Sequence, residues 1–145
     1  MDMLLSDAEQ TFLKQQIHDA PDDAVFVEFG CGGSTLLFAQ TMRPTQRLFS
    51  IEHDKEWGER VHAALTAGNY PNVTLAWRPP YHGLPLLHTV NGKEEVVDEK
   101  VLRRYSTPYE EMPLGLDDYI HAAGLDIPWS SVSWVFVDGV ARAPV

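Results

Sequence analysis

The chain has a single cysteine, Cys31, among 145 residues. A lone thiol cannot close an internal disulfide, so the core must hold the fold, and a reduced, cytoplasmic setting is expected. Positive charge is also scarce: 11 Lys and Arg stand against 21 Asp and Glu, for a net charge of −10. Such a field repels phosphate backbones and anionic lipid surfaces, which removes nucleic acid and membranes from the expected partners. Asp, Glu or Pro interrupts every apolar stretch short of the ~18 residues that mark a membrane helix. No basic segment followed by a long apolar run opens the chain. The histidines show no metal-ligand spacing and no nucleophile motif accompanies them, so neither a metal centre nor a catalytic triad is expected.

What remains is the composition of an ordinary folded domain, 44% hydrophobic and 22% charged. A chain of this length buries roughly 70% of its unfolded surface, enough for one core without staples, so residues 1–145 are read as one domain.

Local signals alternate along the first half. Ser6 and Glu9 form a capping box, and Ala8, Phe12, Leu13 and Ile17 follow at helical spacing, which predicts a helix over 6–19. Pro21 and two aspartates break it. The apolar run 24–27 reads as a strand buried on both faces. A glycine-rich turn follows, then helical character from Thr35 to Pro44. Residues 47–52 read as a second strand. Asp54 is placed to cap a helix that carries Trp57, Val61, Ala64 and Leu65 on one face and ends at Gly68 and Asn69. Residues 73–77 give a third strand. Alternating strands and helices predict an α/β fold with a parallel sheet and right-handed crossovers.

From Arg78 to Ser131 the pattern is irregular and rich in proline, which suggests a lid or an acceptor pocket with Tyr81, His82, Tyr105 and Tyr109 as contacts. Within it, residues 89–93 carry the Asn91-Gly92 hairpin signal, and 116–123 read as a short helix. Residues 132–137 form a fourth strand ending in Asp138 and Gly139. The chain stops soon after, so the expectation is a fragment, or a domain that borrows a cover for this strand, for example from a second copy of itself.

The chemistry concentrates at the first turn. Gly30, Gly32 and Gly33 let backbone approach a ligand closely at the carboxyl end of the first strand, where open α/β sheets bind nucleotide-like molecules. The dinucleotide fingerprint wants a further glycine where Thr35 stands, so the NAD pattern is incomplete. Glu28, just before the first glycine, would sit poorly beside a pyrophosphate but well beside an ammonium or sulfonium. Glu52 closes the second strand near the ~20-residue spacing at which an acid accepts ribose hydroxyls.

The run Glu28-Phe29-Gly30-Cys31-Gly32-Gly33-Ser34 resembles the first motif of the Rossmann-like, S-adenosylmethionine-dependent methyltransferases, acid-x-Gly-x-Gly-x-Gly. Ser34 departs from that pattern, but Gly33-Ser34-Thr35 is similar to a subset reading roughly Glu-Phe-Gly-Ser-Gly-Gly-Ser-Thr. Asp138-Gly139-Val140-Ala141-Arg142 resembles the Val-Asp-Gly-x-x-Arg signature of the same subset, whose members include enzymes that methylate sugar or small-molecule oxygens. The likeness covers about residues 24–78 and 132–142. It implies a Rossmann-like three-layer sandwich with a mostly parallel sheet, here lacking the C-terminal strands, and S-adenosylmethionine as cofactor. Glu28, Gly30, Cys31, Gly32, Gly33 and Ser34 would handle the methionine portion, Glu52 the ribose and His53 the adenine edge. Asp138 would accept the proton of an attacking hydroxyl, or help hold an ion that does so, and Arg142 would pair with an acidic substrate. At Trp77-Arg78-Pro79-Pro80 the chain lacks the polar residue the family often sets against adenine.

Each residue also has a plainer use. Ser34 suits a helix cap, Asp138 a turn, Arg142 a surface pair, and Cys31 merely supplies a small side chain. Trp57, Trp77, Trp129 and Trp134 are expected in the core. Two rivals stand beside the methyltransferase: an NAD-dependent oxidoreductase, and a non-catalytic nucleoside- or S-adenosylmethionine-binding module.

Overall fold

A computed structural model describes residues 5–78, 87–96, 121–122 and 124–137. Ser6 caps α1 (Asp7–Asp19) through a complete capping box, with Glu9 N–H donating to Ser6 Oγ and Ser6 N–H donating back to the Glu9 carboxylate. Leu13 and Ile17 carry the buried stripe of this helix. The chain then lays down β1 (Val25–Phe29), α2 (Gly33–Thr41), β2 (Arg47–Glu52), α3 (Lys55–Gly68) and β3 (Val73–Trp77). Asp54 caps α3 by accepting from Trp57 N–H at 2.9 Å, and Asn69, left-handed at φ 55°, ends it.

The hairpin signal is realised as β4 (Leu87–Val90) and β5 (Lys93–Val96). Asn91 and Gly92 both have positive φ, 51° and 75°, as a two-residue turn matched to strand twist demands. The hairpin does not stand apart as an excursion: β4 pairs antiparallel with β3 and extends the sheet. A 3-10 turn, Trp129–Ser131, leads into β6 (Val132–Val137), which pairs parallel with β1.

The sheet order is β5-β4-β3-β2-β1-β6, with β3, β2, β1 and β6 mutually parallel. The protein is thus α/β, with a four-strand parallel sheet flanked by helices. Successive strands step outward from β1 to β3, and β6 returns to the other side of β1, so strand order reverses between β1 and β6. The registers Phe29↔Ile51, Glu52↔Trp77 and Phe29↔Val137 bring the carboxyl ends of these strands to one edge. That is where open α/β sheets hold ligands.

Side-chain alternation splits the core in two. Phe26, Leu48, Val73 and Leu75 pack with Leu13 and Ile17 of α1, Leu37 and Phe38 of α2, and Val61 and Leu65 of α3. On the other face, Val27, Ile51 and Ala76 meet Ala122, Leu125 and Ile127. Of the tryptophans expected in the core, Trp57 and Trp134 pack against its helix side and Trp129 departs. Trp57, Trp77 and Trp134 are half-buried and Trp129 is 50% exposed, because it sits in the turn ahead of β6 rather than on a strand. Along β6, Val135 and Val137 face solvent at 46% and 49%. Of the helix expected over 116–123, residues 121 and 122 form a turn and 116–120 and 123 lie outside the described residues. Among the described residues no helix is long and apolar enough to cross a membrane.

Candidate functional site

Glu28 lies on the helix-facing side of β1, and its register partner on β2 is Ser50. Its carboxylate is fully buried and accepts from three hydroxyls: Ser34 Oγ on one oxygen, Thr35 Oγ1 and Ser50 Oγ at 2.6 Å each on the other. A carboxylate removed from water is costly unless donors surround it, and these three meet that need. Glu28 therefore joins α2 to β2 and works as a tie beneath the glycine turn.

Gly30, with φ 92°, takes the chain off β1 in a conformation that side-chain-bearing residues avoid. The next N–H groups are engaged internally. Gly30 N–H donates to Ile51 O at 2.8 Å, prolonging the strand ladder, and Gly32 N–H donates to Thr35 Oγ1 at 2.9 Å. Since the same hydroxyl donates to Glu28, a relay runs from the turn to the buried acid. Cys31 N–H donates to Glu52 Oε2 at 2.9 Å, and Cys31 O accepts the Trp57 indole N–H at 2.6 Å. A Cβ on Gly32 would lie 3.7 Å from the Trp57 ring, so the indole rests directly against the bare turn.

Glu52 ends β2 as a buried residue, 3% exposed. Its Oε1 accepts the N–H groups of His53 and Asp54 at 2.8 Å, and His53 Nδ1 stands 2.9 Å from the same oxygen. His53 O accepts the Trp77 indole N–H at 3.1 Å, which fastens the end of β2 to β3. A bare face on α3 makes room for this acid: a Cβ on Gly58 would sit 3.6 Å from Glu52 Cγ. Next to Glu52 a narrow cleft runs between α3 and the β3–β4 pair, lined by Gly58, His62, Trp77 and Thr89. Lys55 Nζ lies 5.4 Å from the Trp77 ring centroid at its rim, and His62 Nδ1 is hydrogen-bonded to Thr89 Oγ1 at 2.9 Å.

Burial pushes the Cys31 thiol well up from its ordinary value, and the Glu52 and Glu28 carboxylates add to the effect. A thiol held protonated is no nucleophile, so Cys31 serves the turn through its backbone and its size. Among the described residues no group of three or more His, Cys, Asp and Glu is placed to hold a metal ion.

The structure thus gathers Glu28, Gly30, Cys31, Gly32, Gly33, Ser34, Glu52 and His53 at the carboxyl ends of β1 and β2. Asp138 and Arg142 lie outside the described residues, as do Tyr81, His82, Tyr105 and Tyr109. Sequence reasoning missed Thr35, Ser50 and Trp57 as partners of the turn. Ser50 had a readable signal, a hydroxyl inside the apolar run of β2 opposite a buried acid. Trp57 had none, because its contact with Cys31 depends on how α3 lies across the sheet. No protein-family model, curated protein or solved structure matches the chain.

Proposed function

We propose that this chain binds S-adenosylmethionine where β1 and β2 end, as the cofactor-binding part of a Rossmann-like methyltransferase with a three-layer sandwich fold, acting on a hydroxyl of a sugar or other small molecule. The observation that carries the reading is the 2.9 Å hydrogen bond between Glu52 and Cys31 N–H. It joins an acid at the end of the second strand to a side-chain-poor turn at the end of the first, beside the reversal of strand order. An acid and a bare turn so joined suit a ligand with a ribose at one end and an amino-acid tail at the other.

The donor set fits the cofactor. Glu52 would take the ribose hydroxyls, the turn from Gly30 to Ser34 the methionine portion, and His53 the adenine edge. Glu28, sealed beneath the turn, fixes its shape and adds negative potential that favours a cationic ligand over a pyrophosphate. When bound, the cofactor supplies a methyl group on a sulfonium leaving group, which leaves the protein to align the acceptor and exclude water. By their resemblance to the family signature, Asp138 would take the acceptor's proton and Arg142 an acidic group of the substrate.

Thermal unfolding of the chain with S-adenosylhomocysteine or NAD, each at about 100 times its dissociation constant or at the solubility limit, tests the reading. A bound ligand contributes ~2.7 kcal/mol under that condition, an upward shift of about 5–10 °C for a chain of this size. S-adenosylhomocysteine is expected to produce it. A shift with NAD alone would transfer the site to the oxidoreductases.

A further inference from the structure

We infer that the Gly30–Cys31 peptide is a latch on the turn, closed by Glu52, and that a vicinal diol opens it. The inference rests on the cofactor reading above. It makes the nucleoside and amino-acid halves of the ligand bind cooperatively.

Glu52 has little acceptor capacity to spare. A carboxylate offers about four lone-pair sites. The N–H groups of His53 and Asp54, at 2.8 Å, fill Oε1, and Cys31 N–H at 2.9 Å takes one of the two sites on Oε2. A ribose brings two hydroxyls and needs two acceptor sites, so at least one group must yield. The N–H groups of His53 and Asp54 come from the residues next along the chain, in the turn that starts α3, and stay beside the acid whatever binds. Cys31 N–H comes from a different element, 21 residues away, and is the one backbone donor that can leave.

The backbone around it is built to allow this. Cys31 is flanked by Gly30 and Gly32, where rotation is least hindered. The neighbouring N–H groups are anchored, Gly30 in the strand ladder and Gly32 in the relay through Thr35 to Glu28. Motion is thus confined to the Gly30–Cys31 peptide, which carries the Cys31 N–H, while the next peptide is held at both its groups, the Cys31 carbonyl by the Trp57 indole at 2.6 Å and Gly32 N–H by Thr35. Once the diol claims Oε2, the Cys31 N–H becomes a free donor for an anionic group, which an amino-acid carboxylate supplies. Coupling of this kind is reciprocal, so each half of the ligand tightens the other by the same factor.

The test titrates L-homocysteine calorimetrically into the full chain, alone, with saturating adenosine, and with saturating 2′,3′-dideoxyadenosine, which keeps the base and lacks the diol. S-adenosylhomocysteine is titrated alongside. Homocysteine is expected to bind about tenfold tighter with adenosine and unchanged with the dideoxy compound. Equal homocysteine affinity with and without adenosine, in a chain that binds S-adenosylhomocysteine, overturns the latch and leaves the cofactor reading standing. Coupling that persists with the dideoxy compound also overturns it, because the diol is then not the trigger. No binding of S-adenosylhomocysteine overturns both.

Discussion

Removing the Glu28 carboxylate is the perturbation whose cost the structure defines best. Three hydroxyls, Ser34, Thr35 and Ser50, converge on a side chain with no solvent exposure. In Glu28→Ala all three lose their acceptor inside the core, and the cavity is too polar to close and too confined to rehydrate freely. A hydrogen bond to a charged group is worth ~1.5–3 kcal/mol, but three on one carboxylate do not add, and cutting a buried charged network costs ~3–5 kcal/mol. That is a large part of the ~5–15 kcal/mol available to a domain, and corresponds to a melting point lower by about 10 °C. Glu28→Gln keeps the shape and one acceptor oxygen while turning an amide donor toward hydroxyls, for a loss of ~1–2 kcal/mol. Urea unfolding at pH 7, followed by far-UV circular dichroism, reads both variants. The reasoning fails if Glu28→Ala unfolds within ~1 kcal/mol of the parent chain, or if the alanine variant proves more stable than the glutamine one.

Three further outcomes are expected. Cys31, its thiol held protonated by burial and two nearby carboxylates, should resist iodoacetamide at pH 8 in the folded chain and react fully in urea; equal rates in both would show the turn to be open. Hydrogen bonds from Ser6 hold the Glu9 carboxyl below its ordinary 4.5, so its support of α1 is complete above that pH and is lost as pH falls through the lowered value. Amide exchange at Glu9 and Gln10 should therefore quicken, relative to the intrinsic rate, on acidification, and this step should be missing in Glu9→Gln. Gly58→Ala should stabilise the chain by ~0.5–1 kcal/mol, since the new Cβ meets Glu52 Cγ at an ordinary 3.6 Å and the helix gains propensity; thermal unfolding checks the sign.

The parts of the fold legible in the sequence are those set by local rules. The capping box at Ser6 and Glu9, the Asp54 cap, the Asn69 terminator and the Asn91-Gly92 turn each act within a few residues, and each is found where it was expected. The four parallel strands were legible from their apolar runs. That β4 would add to β3 was not, because strand pairing is a non-local choice that local patterning does not encode. Glu28 shows the same division at the site. Its place before the glycines was readable, but its inward direction follows from two chain-distant partners, Ser50 on β2 and the first turn of α2, closing on it. Trp129 was expected to be buried from residue type alone, and it is exposed because tryptophan hydrophobicity says nothing about which turn carries it. Asp138 and Arg142, outside the described residues, rest on motif resemblance.

Ligand binding at the ends of β1 and β2 depends on what Glu52 holds. Equilibrium titration of S-adenosylhomocysteine into the full chain and into Glu52→Ala measures this directly. Saturable one-to-one binding is expected in the parent chain, weakened by about tenfold or more in a folded variant that has lost its ribose acceptor. Identical affinities for the two chains, or no binding to the parent, would contradict it.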